Sequence, residues 1–211
     1  VKEVLEELRA TFGDNFCLIA GNVATLDGIN ALADWGANAV RCNVGSGSIC
    51  STKIQTGSGV PGLQTILDCY HTDRNVTIIA DGGIRNSGDI VKMLAAGADA
   101  CMLGSLLSGT DESPGEVIYT DEGKRKTYRG MASMEAQFDW HGRASSLEGI
   151  STTVQYKGTV KDIVNNLTQG LRSGMSYSGA RTITELQRKS HFIRQTQAGA
   201  VESGTHILNN N

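Results

Sequence analysis

A chain of 211 residues is long enough for one domain with a sizeable core. A formal net charge of −3 offers no basic patch to nucleic acid, and no apolar run approaches the length that spans a bilayer. Five cysteines are an odd number at spacings that fit neither a disulfide framework nor a zinc site, and four of them read as buried thiols, which suits a reducing cytoplasm.

Taken in order, Val1–Thr11 sets Val1, Val4, Leu5 and Leu8 at helical spacing, and Gly13-Asp14-Asn15 ends that helix. The chain opens on Val inside this helix-like segment, without a signal peptide, which suits a piece of a longer protein. Phe16–Ala20 is a predicted strand, leading into Gly21-Asn22. Thr25 or Asp27 caps a helix that runs to about Trp35. Ala39–Val44 is a second strand, and the glycine loop Gly45–Lys53 follows it. Gly62–Thr72 is a helix, Val76–Ala80 a strand, Gly88–Ala96 a helix and Ala100–Leu103 a strand. Short strands alternating with helices predict right-handed βαβ units and a parallel sheet. Cys17, Cys42 and Cys101 fall in strand-like runs and Cys69 in a helix-like one, so all four are expected to be buried.

Beyond Asp111 the pattern changes. Val117-Ile118-Tyr119 and a turn at Asp121-Glu122-Gly123 predict a hairpin ahead of Tyr128. Ser133–Ser151 is polar and has no clear period, so a mobile flap is expected there. Val160–Arg172 and Thr182–Ser190 are helices, the first with a 3-4 apolar spacing. The tail after Gln197 is small and polar, and is expected to be disordered unless a partner holds it.

Chemistry gathers where strands end. Asn22, the Cys50 loop, Asp81-Gly82-Gly83 and Gly104-Ser105 each directly follow a strand. Active sites of (β/α)8 barrels are built from such loops, and four in a row favour that barrel over an open doubly wound sheet. A cysteine on a glycine loop is a candidate nucleophile, because the loop exposes sulfur that a core hides. Thr52 stands two residues on as a candidate proton-relay partner. Ser48, Gly83, Gly104, Ser105 and Tyr128 offer backbone and hydroxyl donors suited to a phosphate, or the glycines simply make turns. Asp81, beside two glycines, suits a ribose diol.

Gly45-Ser46-Gly47-Ser48-Ile49-Cys50-Ser51-Thr52-Lys53, followed by Gly57-Ser58-Gly59-Val60-Pro61, closely resembles the active-site cysteine loop of the IMP dehydrogenase / GMP reductase family. Ala80–Arg85, Met102–Ser105, Tyr128–Met131, Glu148-Gly149 and Tyr156-Lys157-Gly158 match further motifs in the family's order, over nearly the whole chain. The resemblance implies an α/β fold, a (β/α)8 TIM barrel, of which residues 1–211 supply strands five to eight, a flap at about 133–151, and C-terminal helices and tail. Four βα units cannot close such a barrel, so this half by itself is not expected to be a stable monomer.

The resemblance also assigns roles. Cys50 is the nucleophile at C2 of a purine, with Thr52 and Glu148 handling the proton. Ser48, Gly83, Gly104, Ser105 and Tyr128 hold the 5′-phosphate, Asp81 with Gly82 the ribose, and Gly130 and Met131 the base. Asn22, Gly45, Gly57 and Gly59 are the expected contacts of the cofactor, NADP or NAD. A monovalent cation, potassium, is expected at the carbonyls of Gly45, Gly47 and Cys50, completed by Glu202 and Ser203 of the partner subunit in a homotetramer. The implied substrate is GMP, IMP or XMP, with no nucleic-acid or membrane partner.

Dehydrogenases of the family carry an Arg-Tyr pair in a long flap, whose arginine activates water. Here Arg143 is followed by Ala144 and the flap is short, which favours the reductase branch. The segments Gly170–Met175 and Ala198–Ser203 look more like the dehydrogenase branch, while Ala132 stands where dehydrogenases usually have glycine and Lys53 where they have arginine. An inactive nucleotide-binding fragment is the reading from another class.

Overall fold

The computed structural model describes residues 1–145 and 148–205; positions 146, 147 and 206–211, which the flap and tail expectations include, lie outside the described residues. Helix α1 (Lys2–Phe12) leads to strand β1 (Ile19–Val23), and α2 (Leu26–Asp34) crosses to β2 (Ala39–Cys42). The Cys50 loop comes next, followed by a short helix α3 (Thr52–Thr56) and by α4 (Gly62–Cys69). Then β3 (Thr77–Asp81), α5 (Ser87–Ala95) and β4 (Ala100–Met102) complete one sheet, of order β1-β2-β3-β4, with every neighbouring pair parallel. The expected βαβ alternation is present.

Local chemistry starts these helices. Thr25 accepts from the N–H of Gly28 to cap α2, and Asn86 accepts from Asp89 to cap α5. Apolar faces then fold together: Val40, Cys42, Ile78 and Ala80 of the strands pack with Ile29, Leu32, Ile66, Cys69 and Leu94 of the helices in one buried cluster. Burying each large aliphatic side chain stabilises by about 1.5–3 kcal/mol. Among the described residues, β1 and β4 each have a strand neighbour on one side only, so the sheet does not close. Ile19 on the outer strand is exposed.

The first strand lies three residues later than Phe16–Ala20. Arg9 explains the shift: its guanidinium donates to the carbonyls of Gly13 and Phe16, at 2.7 and 2.9 Å, and to the Asn38 side chain at 2.7 Å. Residues 16–18 are thereby held as an irregular approach, with Phe16 against Phe12. Cys17 is consequently exposed rather than buried, and Cys101 on the outer strand is half-buried; Cys42 and Cys69 are buried as expected.

A second sheet is antiparallel. β5 (Val117–Thr120) and β6 (Gly123–Arg129) form the predicted hairpin, and β7 (Ser151–Gln155) adds to β6. Strand β7 was not expected, because Ser151-Thr152-Thr153 is polar and its backbone pairing alone places it. Beneath this sheet the buried Lys126 donates to the carbonyls of Thr110 (2.8 Å) and Ser113 (2.5 Å).

The flap region also departs from expectation. It contains helix α6 (Met134–His141), which runs through Trp140. Ser133 caps it, accepting from the N–H of Ala136, and only Ala136 and Gln137 are buried. A helix fixed by its cap, with Trp140 71% exposed, shows no apolar period in sequence. Helices α7 (Val160–Tyr177) and α8 (Ile183–Lys189) follow as predicted and cover α5. The tail, expected to be disordered, begins with a further short helix, α9 (Gln197–Glu202), capped by Thr196. No described helix is long and apolar enough to cross a membrane.

Candidate active site

Parallel register brings the strand ends level. Cys42 lies opposite Ala80, and Asp81 opposite Met102. The loops that leave these strands therefore emerge side by side. They enclose a cavity of about 380 Å³, within the usual range of small-ligand sites, about 300–1,000 Å³. Its lining includes Ser48, Cys50, Thr52, Asp81, Gly82 and Gly83. Gly104, Ser105, Tyr128, Gly130, Met131 and Glu148 complete the set, so every residue assigned to catalysis or substrate from sequence is brought to one place. A second cavity, about 690 Å³, shares Gly104 and Tyr128 but lacks the cysteine.

At the centre is a continuous hydrogen-bonded path. The Cys50 thiol donates to Thr52 Oγ1 at 3.1 Å, and Thr52 Oγ1 donates to Glu148 Oε2 at 2.7 Å. Backbone bonds set this alignment. Ser51 N–H donates to the Glu148 carbonyl (3.0 Å) and Ile150 N–H to the Ile49 carbonyl (3.1 Å), so residues 148–150 pair with the cysteine loop as one strand step. Gly149 permits the approach: a Cβ there would lie 2.7 Å from the backbone of Ala132 and Ser133. Gly149→Ala should lower stability by about 1–3 kcal/mol through overpacking. A chemical-denaturation midpoint equal to the parent's would show that the contact relaxes freely.

Two of the other thiols, Cys101 and Cys42, are poorly placed for chemistry. Burial pushes the Cys101 thiol up to about 11. A hydrogen bond with Cys69, and then burial, hold Cys42 far above the ordinary thiol range. Thiolate, the reactive form, is therefore disfavoured at both.

At another part of the cavity the Ser48 hydroxyl and the Tyr128 phenol lie 3.3 Å apart, and Gly104 faces the same phenol. Lys157, from the Tyr156-Lys157-Gly158 motif, donates to the carbonyls of Ser105 (2.7 Å) and Leu106 (3.3 Å). Its ammonium is shifted below the usual lysine range by burial. These bonds hold the loop that lines the cavity at Gly104 and Ser105.

Asn22, Gly45, Gly57 and Gly59 do not line the cavity. Asn22 instead donates to Asp81 Oδ2 at 2.7 Å. Gly57 ends α3 in the left-handed region, and Gly45 and Gly59 pack on the Lys53 stem, where a Cβ would come within 2.7 and 2.5 Å. Lys53 thus staples the two glycine segments, with its ammonium near Ser46 and Val60. The Gly47 carbonyl accepts from Cys50 N–H at 3.1 Å. Ser203 bonds to Gly199 and Gln195 within its own segment. Among the described residues no cluster of His, Cys, Asp or Glu is suited to a metal.

Two residues of the site were missed from sequence. Asn43 is buried at φ 127°, and its side chain accepts from Ser46 at 2.8 Å, bending the chain out of β2 into the loop. Asparagine directly before a glycine loop is a usable signal, since it tolerates positive φ better than most residues. Arg41 donates to Asp81. Its signal was a lone charge in the apolar run Ala39–Cys42, which requires a partner.

Comparison with known proteins agrees with this geometry. The family model for the IMP dehydrogenase / GMP reductase domain matches residues 1–206. Inosine-5′-monophosphate dehydrogenase of Aquifex aeolicus (strain VF5) is 50% identical over 98% of this chain and 44% of that protein. The protein of the same name from Nitrosopumilus maritimus (strain SCM1) is 48% identical over 90% of this chain and 43% of that one. A crystal structure of a cysteine-to-alanine variant of GMP reductase from Trypanosoma brucei, in complex with guanosine 5′-monophosphate, matches with TM-score 0.91 and 45% identity. That match covers 97% of this chain and 44% of the other. The chain spans under half the length of the relatives it matches, and its sheet corresponds to part of a TIM barrel.

Proposed function

The chain belongs to the IMP dehydrogenase / GMP reductase family, and from that premise we propose that it supplies the nucleotide and cysteine side of an NAD(P)-dependent oxidoreductase acting at C2 of a purine nucleotide, a GMP reductase. The carrying observation is the path from Cys50 through Thr52 to Glu148, on the wall of a cavity whose lining includes hydroxyl and backbone donors suited to a phosphate and a carboxylate, Asp81, suited to a ribose diol. Cys50 sulfur adds to C2 of GMP, and its proton passes through Thr52 to Glu148. The same path then returns a proton to the exocyclic amine, which leaves as ammonia, so the C2–N bond breaks and a thioimidate remains. A bound reduced nicotinamide, NADPH or NADH, supplies hydride. With C2 reduced, the C–S bond breaks and Cys50 is freed as IMP departs. Asn22, bonded to the cavity-lining Asp81, and Gly45, on the Cys50 loop, are proposed to face the cofactor.

The reductase branch is supported by the absence of an Arg-Tyr pair between Met131 and Glu148 in the sequence, since hydrolysis of the thioimidate requires activated water. The 45% identity and TM-score of 0.91 to a GMP reductase are consistent with that branch. The second reading, IMP dehydrogenase, is favoured by the names of the relatives at 46–50% identity. Absorbance at the nicotinamide band of the full-length protein tests both. Loss of signal with GMP and NADPH is expected; a gain with IMP and NAD instead establishes the dehydrogenase. Binding of GMP with neither change would leave a nucleotide-binding module. The open sheet edges suit pairing with the remaining strands of a barrel; on the family resemblance the assembly is a homotetramer in which Glu202 and Ser203 of the partner subunit reach the Cys50 loop and a potassium ion.

Asp81→Ala should weaken GMP binding by roughly 2–4 kcal/mol, because the sugar hydroxyls lose a charged acceptor. Equilibrium titration with GMP measures this directly, and an unchanged affinity would remove Asp81 from the site.

A further inference from the structure

Asp81 ends β3 with its side chain 17% exposed on the cavity wall. Three hydrogen bonds reach its carboxylate, and all three fall on one oxygen. Arg41 Nε donates to Oδ2 at 3.1 Å, Arg41 Nη2 at 2.7 Å and Asn22 Nδ2 at 2.7 Å. The last torsion of an aspartate is broad and roughly two-fold, so the chain by itself does not choose which oxygen faces the ligand. Three donors crowded on Oδ2 make that choice and leave Oδ1 as the acceptor.

The strands are shaped to deliver these donors. Arg41 pairs in register with Gly21 of β1 and Ile79 of β3. A Cβ on Gly21 would lie 2.8 Å from that of Arg41, so glycine there lets the arginine stand in the sheet. The register of β1 against β2 shifts between Gly21 and Val23, which takes Asn22 out of the ladder. Its amide then bridges the Asn43 carbonyl (2.9 Å) and Asp81.

Building on the nucleotide reading above, we propose that Arg41 is a positioning residue for sugar recognition, holding Asp81 so that Oδ1 accepts from the ribose hydroxyls. It thereby sets the preference for a ribonucleotide over a sugar lacking those hydroxyls. Arg41 acts through Asp81, so its effect must vanish whenever the hydroxyls or the carboxylate are absent.

The test uses the full-length protein without cofactor, titrated calorimetrically with GMP and with 2′,3′-dideoxy-GMP. Arg41→Met should weaken GMP roughly 10- to 100-fold while changing the dideoxy ligand less than about threefold. Arg41→Lys, with a single donating nitrogen in place of the planar fork, should recover part of the preference. In an Asp81→Ala background, Arg41→Met should have no further effect on GMP. Equal weakening of both ligands in the two Arg41 variants, or loss of all binding in both, overturns the inference and gives Arg41 a general structural role. Unchanged GMP affinity in Arg41→Met overturns it while leaving the nucleotide site standing. If the parent protein binds neither ligand, the nucleotide reading fails and this inference with it.

Discussion

Cys50→Ala should abolish turnover, by at least about four powers of ten, and leave GMP affinity within roughly threefold of the parent. Sulfur is the atom that bonds to C2 in the proposed reaction, and no neighbour replaces it. Cys42 and Cys69 are buried, and Cys101 has a thiol raised by burial. The alanine removes one atom from a loop held elsewhere, by the Ser51 bond to Glu148 and by the Lys53 staple between Ser46 and Val60. The proposed nucleotide contacts at Ser48, Asp81 and Gly104 are therefore expected to be preserved. Single-turnover absorbance with GMP and NADPH reads the chemistry, and calorimetry reads the binding. Residual hydride transfer above a hundredth of the parent rate would show that another group attacks C2, or that no covalent step occurs.

Much of this site could be read before any coordinates. The glycine loop around Cys50, the Asp81-Gly82-Gly83 turn and Gly104-Ser105 follow strands in sequence, and parallel pairing alone then puts them side by side. What was illegible has physical causes. Arg9 holds residues 16–18 through side-chain bonds to backbone, an interaction with no periodic signature, so the first strand was placed early. Helix α6 depends on the Ser133 cap and buries few residues, so its apolar pattern is blank. Strand β7 is polar and is placed by its ladder to β6. The donors on Asp81 were hidden differently: Asn22 and Arg41 come from different strands, and only the shift in β1 register brings Asn22 to the carboxylate.

The second large effect concerns Glu148, which sequence offered only as a carboxylate before a glycine. Its carboxylate lies 2.7 Å from the Thr52 hydroxyl, and that hydroxyl 3.1 Å from the Cys50 sulfur. Thr52 has one proton to give and two lone pairs to accept with, so it transmits a proton only while a base stands beyond it. Glu148→Gln keeps the shape and still accepts the Thr52 bond, but an amide cannot take up the proton. Turnover should fall by roughly 10²- to 10⁴-fold, with GMP binding little changed. Thr52→Val should cause a loss of similar size by cutting the path at its middle. Since the two residues act in series, the double variant should be little worse than either alone, far from the product of the two losses. Multiplicative losses would mean that Thr52 and Glu148 serve separate steps. Near-parental turnover of Glu148→Gln would mean that the proton leaves by solvent, and that the short contact with Thr52 only fixes the strand step at Gly149.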